Sequence, residues 1–302
     1  MKKKYLLILV LVFALFQQFS FAQFTKWKFK RKEFFFGAGA TNFLGDLGGA
    51  NQIGTNGVRD FDVPSIRPAF AIGYRYRTTK ETAIKVNLIY ARLSGNDKFT
   101  KEPFRNNRNC NFRSPNWELS TQFEYNIIRE RVGHIYKLQG VSGWKYIQLT
   151  SYLFGGIGVM HFNPKGNWDG KWYALQPLHT EGQTLVPTRK NYSLFQLVLP
   201  FGIGFKYAIS TEWTVGLEYG VRKTFTDYID DVSKTYFDTV ALYNDKGSLA
   251  VHFSNPTNSE LPPNHTAAGQ QRGDIRQKDS YMFAIISFYY KIPRGAFTLP
   301  KF

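Results

Sequence analysis

Apolar and polar residues alternate with a period of two along much of the chain. Across 117–127, Trp117, Leu119, Phe123, Tyr125 and Ile127 alternate with Glu118, Ser120, Gln122, Glu124 and Asn126. Only an extended chain sends successive side chains to opposite faces, so such a segment reads as a strand with one apolar and one polar side. The pattern recurs at 33–41, 67–77, 82–93, 147–162, 194–207, 213–222 and 281–292, which predicts about eight strands. In 194–207 the apolar set is Phe195, Leu197, Leu199, Phe201, Ile203, Phe205 and Tyr207. A soluble sandwich also alternates. Here, however, the opposite face is laced with Gly, Ala and Ser, which suits the cramped inside of a small barrel whose apolar face points outward.

The connections alternate in length as well. Residues 78–81 and 209–211 are short, whereas 42–66, 94–116, 163–192 and 223–280 are long and rich in Asn, Asp, Gly and Pro. Outer-membrane barrels join strands by short periplasmic turns and longer outside loops, so the expected topology places both termini in the periplasm. The segment 128–145 is a periplasmic connection longer than usual. An aromatic fraction of 17%, 26 glycines and a mean hydropathy of -0.32 fit an all-β, antiparallel transmembrane barrel better than a helical membrane protein.

The amino terminus gives the compartment. Lys2, Lys3 and Lys4 precede an apolar run from Tyr5 to Phe16, and Ser20-Phe21-Ala22 offers a small-residue cleavage site before Gln23. That layout predicts a signal peptide over 1–22 and a barrel domain over 23–302, because about a dozen apolar residues are too few for a spanning helix. Cleavage would lower the formal charge of +17 to about +14. The bases are scattered and the chain is exported, so nucleic acid is not an expected partner. The lone Cys110 lies in a polar stretch and reads as an incidental thiol.

By strand parity Arg75, Arg77, Lys85, Lys206 and Arg222 point inward together with Glu118, Glu124 and Glu218. An unpaired buried charge costs several kcal/mol, so these groups are expected to pair and fill the interior rather than line an open pore.

Four segments carry a resemblance to a known family: "YLFGGIGVMHFNPKG" (152–166), "LPFGIGFKY" (199–207), "VGLEYGVRKTFTDYIDDVSKTY" (215–236) and "QRGDIRQKDSYMFAIISFYYKIP" (271–293). With "FLGDLGG" (43–49), they make the chain resemble the PorG-like outer-membrane β-barrel proteins of the type 9 secretion system of Bacteroidetes. The resemblance spans nearly all of the chain after the signal peptide. It implies a non-enzymatic secretion component that contacts a periplasmic ring formed by a lipoprotein and its partner. It brings no catalytic residues or cofactor.

Catalytic and metal patterns are otherwise weak. The histidines at 134, 161, 179, 252 and 265 lack metal-ligand spacing. Gly155-Gly156-Ile157-Gly158 sits inside a predicted strand rather than between strand and helix, so it reads as packing rather than a phosphate loop. Ser151 and His161 share a face, as in lipid-hydrolysing barrels, but ten residues put them roughly 33 Å apart along a strand. No enzyme is expected.

Two candidate regions remain. "FTDYIDDVSKTYFD" (225–238) concentrates Asp227, Asp230, Asp231 and Asp238. These are hard oxygen ligands without EF-hand spacing, and they are read as loop-organising acids that pair with Arg222, Lys223 and Lys234 or cap turns. At the opposite end, Lys26, Trp27, Lys28, Lys30, Arg31 and Lys32 join Arg129, Arg131 and Lys137 in a basic, aromatic-bearing periplasmic face. "KIPRGAFTLPKF" (291–302) adds to that face. Alone this composition reads as solvated charge beside a membrane girdle, and the resemblance favours docking to the ring lipoprotein and other secretion components. Outer-membrane lipid is the other expected partner. The alternative function is a stand-alone structural or surface-adhesive barrel whose outside loops bind ligands.

Overall fold

The computed structural model describes residues 30–47, 63–128 and 149–292. Ten strands form one antiparallel sheet: β1 (Lys32–Leu44), β2 (Arg67–Arg77), β3 (Thr82–Asn96), β4 (Asn111–Ile128), β5 (Leu149–Phe162), β6 (Lys165–Trp168), β7 (Lys171–Ala174), β8 (Phe195–Ala208), β9 (Trp213–Thr224) and β10 (Ser280–Ile292). β6 and β7 make a side hairpin, turned by Asp169 and Gly170, both at positive φ. The other strands pair as neighbours, β1 with β10 and β3 with β4 included, which closes an eight-stranded barrel and leaves it no free edge. Two helices lie in the connections, α1 (Pro103–Arg108) and α2 (Thr239–Ser254), the latter broken at Gly247 with φ 77°.

The expected facing holds. Outward residues stay exposed, among them Leu119 at 58%, Ile157 at 57% and Phe195 at 63%, while their inward neighbours Glu118, Gln122 and Glu124 are fully buried. In water so continuous an apolar wall would drive aggregation; facing lipid it is the favourable surface. Tyr90 packs on Trp117 at 4.7 Å near one rim, and Trp213 on Tyr290 at 5.0 Å near the other. From Trp117 to Tyr125 on β4 is roughly 26 Å along the strand, or about 20 Å of height at a tilt near 40°. That is the height of a lipid-facing band flanked by aromatic girdles.

Several strands exceed their predicted length at the end bearing the long loops. β4 starts at Asn111 rather than 117, and β3 runs to Asn96. The inward alternation continues through Phe112, Ser114 and Asn116, all buried, but outward the aromatic and aliphatic run gives way to Pro115, Arg113 and Asn111. Pattern reading ended where the wall leaves lipid; the hydrogen-bonded ladder does not. The connections 163–192 and 223–280 likewise contain regular structure, namely the β6–β7 hairpin and α2. The proposed signal peptide and the 128–145 connection beyond Ile128 lie outside the described residues.

Candidate functional site

The interior is a polar network built from both walls. On its lower level Arg75 donates to Glu33 at 3.0 Å and to Glu124 at 2.6 Å, Lys206 reaches Glu124 at 3.2 Å, and Lys85 lies 3.5 Å from Glu124 and contacts Glu218. Three cations thus meet three carboxylates. Above them Glu118 accepts from Tyr281 at 2.8 Å and Ser120 at 2.9 Å, with Arg222 at 3.5 Å. In the ring order β3 lies opposite β9 and β4 opposite β10, so Lys85–Glu218 and Tyr281–Glu118 cross the full diameter. Walls bonded to each other across the diameter leave no wide bore at those levels.

Aromatic rings complete the filling. Lys206 lies 4.4 Å from the Tyr152 ring and 4.2 Å from that of Tyr289, and Arg222 lies 4.5 Å from Phe283. Tyr152 covers Gly204, where any side chain would overlap its phenol. All the charged residues assigned inward by parity are buried. Glu33 was missed, although the exposed Phe34 and Phe36, one and three residues after it, fix its direction.

The long-loop end carries a packed cap rather than separate loops. Leu47, Ile229, Val232 and Phe253 share one apolar core with Phe43, Phe112 and Phe162 of the barrel, so the 223–280 connection folds over the mouth. Inside this cap lies the acidic stretch. Asp230 accepts from the amides of Leu47 at 2.9 Å and Val232 at 3.0 Å. Asp231, at positive φ, accepts from Tyr192 at 2.6 Å and Thr180 at 2.5 Å. Asp227 accepts from Ser233 at 2.8 Å, and Asp238 caps α2 through the Val240 amide at 3.0 Å.

The expected pairing with nearby cations does not occur. Arg222 turns inward to Glu118, Lys223 is exposed, and Lys234 Nζ donates to the Thr188 carbonyl. The reason is parity: β9 continues its alternation to its end, so Arg222 belongs to the lumen. The cation that serves the cap is Arg272, fully buried, which bonds Glu181 at 2.9 Å and the carbonyls of Asp231 and Ser254. Glu181 also accepts from the amides of Ser233 and Lys234. Nothing in the local sequence around Glu181 marks this role. Asp46, Arg272 and Asp279, by contrast, lie in the segments that carry the family resemblance, and the fold brings those segments together.

Burial dominates the protonation of these acids. It raises the Asp227 carboxyl to about 7, against a weaker lowering by the Ser233 hydrogen bond. It raises Asp46 to about 6, offset in part by Arg108, and Asp231 to about 6, offset in part by Arg272. Asp230 and Asp279 are pushed well above the usual carboxylate range, first by burial and then by neighbouring aspartates. Cys110 is buried in the same core rather than in polar surroundings, and burial raises its thiol to about 11. No cluster of His, Cys, Asp and Glu suited to a metal ion occurs among the described residues.

At the short-turn end, Lys30 Nζ donates to the Thr211 carbonyl at 2.8 Å and Arg31 donates to the Tyr76 hydroxyl at 3.3 Å, while Lys32 is exposed at the start of β1. These three candidate contact residues sit together on the rim. Lys26, Trp27, Lys28, Arg129, Arg131 and Lys137 lie outside the described residues. Ser151 and His161 fall at opposite ends of β5, paired with Phe205 and Phe195 respectively, and cannot act together. Gly155-Gly156-Ile157-Gly158 lies within β5, opposite Phe123 to Ser120 of β4.

A family model described as "Domain of unknown function (DUF6089)" matches residues 8–244, most of the chain. The chain belongs to that family. No curated protein matches it. Among solved structures, this DUF6089 member is similar to Ail, the attachment invasion locus protein of Yersinia pestis, crystallised with the heparin analogue sucrose octasulfate. The identity is 7% and the TM-score 0.38, covering 87% of this chain and 99% of that one. It is also similar to Neisserial surface protein A, at 9% identity and TM-score 0.36, covering 86% and 96%. A third is the N-terminal barrel domain of Pseudomonas aeruginosa OprF, at 9% and 0.33, covering 87% and 98%. Likeness this distant is one of shape and carries no role across.

Proposed function

We propose that this DUF6089 barrel is a non-enzymatic component of the type 9 secretion system in the outer membrane, anchoring or contacting the periplasmic lipoprotein ring through its short-turn end. The observation that carries the reading is the cross-bonded interior. A barrel whose opposite walls are joined by Lys85–Glu218 and Tyr281–Glu118 is suited to anchoring other proteins rather than passing solutes. The sequence resemblance supplies the system, and the basic rim at Lys30, Arg31 and Lys32 supplies a contact surface.

Affinity capture of the tagged protein from solubilised membranes tests the proposal. A periplasmic lipoprotein should co-purify, and Lys30→Glu with Lys32→Glu should reduce its recovery. Unchanged recovery removes this rim from the interface; absence of any periplasmic partner, together with normal secretion after gene deletion, rejects the role. The alternative of a surface ligand-binding barrel is favoured by one observation, a polar groove at the long-loop end.

A further inference from the structure

That groove has a volume of about 540 Å³ and lies against β3, β4 and the β6–β7 hairpin. Its lining includes Arg67, Arg92, Lys98 and Arg113 together with Trp168 and Trp172. Asp169, at the hairpin turn, is the one acidic lining residue. The side chains of Arg92 and Arg113 have no carboxylate partner among the described residues. Arg113 lies with its guanidinium 3.9 Å from the Trp172 ring, a cation–π contact that leaves N–H groups able to donate to an anion. Arg92 lies close enough that its charge, after partial burial, lowers the pKa of Arg113. Two neighbouring cations, neither ion-paired to a carboxylate among the described residues, are what an anionic group would relieve.

The depth of the groove is informative. Tyr90 and Trp117, paired directly across β3 and β4, mark the upper aromatic girdle. Arg92 lies two residues beyond Tyr90 and Arg113 four beyond Trp117, or about 7 and 13 Å along the strands. That is the level of lipid headgroups, just outside the hydrocarbon. Trp168 stacks on His252 at 4.3 Å, so both tryptophans are held in place, each 36% exposed. Indole surface beside paired guanidinium groups matches a ligand with apolar sugar faces and charged phosphates.

We infer that this groove binds a phosphate-bearing sugar, presented by the headgroup of a glycolipid in the outer leaflet. The inference rests on the proposed orientation, with the long-loop end facing outward. Bilayer nanodiscs of phosphatidylcholine containing lipid A, or phosphatidylglycerol in its place, provide the test, with bound lipid counted by native mass spectrometry. Lipid A should be retained in preference to phosphatidylglycerol, and Arg92→Gln with Arg113→Gln should lower retention by about ten-fold or more, the scale of two charge-assisted contacts. Equal retention by the variant, or no preference over phosphatidylglycerol, removes a glycolipid headgroup as the source.

A second arm titrates glucosamine 1-phosphate into detergent-solubilised protein and reads tryptophan fluorescence. Saturable quenching lost in Trp172→Leu and in the double arginine variant supports the site, with free phosphosugar as the source if lipid A is not retained. No response in either arm overturns it. Arg92 is exposed, so the fold should survive, which heat-modified gel mobility verifies. Failure to insert into bilayers at all would instead strike at the membrane reading, and the detergent arm stays readable in that case.

Discussion

Replacing Glu124 by Gln probes the interior directly, because one carboxylate there serves three cations. Arg75 lies at 2.6 Å, Lys206 at 3.2 Å and Lys85 at 3.5 Å, and Glu124 is fully buried. Glu124→Gln keeps the volume and removes the charge, leaving three cations to share Glu33 and Glu218. Removing one partner of a buried ion pair costs about 3–5 kcal/mol, since the remaining charges stay desolvated. With a urea m value of about 3 kcal/mol/M, the unfolding midpoint falls by about 1–1.7 M. Reversible urea unfolding in lipid vesicles, followed by tryptophan fluorescence and gel mobility, measures it. Adding Lys206→Met to the variant removes the surplus cation and should recover a large part of the loss. A shift below roughly 0.3 M, with no rescue, would mean that water already screens these charges, and the cross-bonded interior would not be a stable core.

The cap should respond to pH in the opposite sense to an ordinary ion-paired protein. Asp227 at about 7, with Asp46 and Asp231 at about 6, bind protons more tightly folded than in the unfolded chain, where the value is 3.8. Their contribution is therefore fully present below about pH 4 and is lost as pH rises through 6 to 7, so trypsin should cut the 223–280 connection faster at pH 8 than at pH 5. Calcium at millimolar concentration should not change that cleavage, because the oxygens of Asp230 and Asp231 are already occupied by amides and hydroxyls; protection on titration would reveal a metal site. Arg272→Met strands Glu181 in the cap and should cost about 3–5 kcal/mol locally, read as faster amide exchange in 225–238 with the barrel unaffected. Gly204→Val forces Tyr152 out of its place and should abolish or severely slow barrel folding, measured by gel mobility.

The barrel was legible because lipid outside and crowding inside impose opposite demands on alternate residues. Trp117 to Ile127 shows both demands in one strand. Legibility ended where that contrast ended. Above Trp117 the outward positions are Pro115, Arg113 and Asn111, and the ladder continues without the aromatic and aliphatic alternation that would reveal it. The inner charges followed from parity, except Glu33 and Lys291, the latter buried on β10 and not part of the basic outer face to which 291–302 was assigned. The cap was hidden for a different reason: its bonds join residues far apart in sequence, such as Leu47 with Asp230 and Glu181 with Arg272. The local excess of acid was visible, but not its partners, and proximity in sequence pointed wrongly to Arg222.

The distribution of charge between inside and outside explains why an acidic stretch occurs in so basic a chain. Among the described residues ten acids are buried, Glu33, Asp97, Glu118, Glu124, Glu181, Glu218, Asp227, Asp230, Asp231 and Asp279. Eight bases are buried with them. The described residues hold 19 acids and 27 bases, so folding hides about half of these negative groups and under a third of these positive ones. The buried acids hold the strands and the cap together, as Glu124 and Glu181 do. What remains facing water is more basic than the composition implies, at the Lys30 to Lys32 rim and at the Arg92 and Arg113 groove alike. Both proposed contacts follow from that: a surface with an excess of cations over acids gains most from anionic partners, and its association with them should weaken as salt rises. If recovery of the periplasmic partner were unaffected between about 0.05 and 0.5 M salt, charge would not be what holds the rim, and the contact would have to be sought on an apolar surface instead.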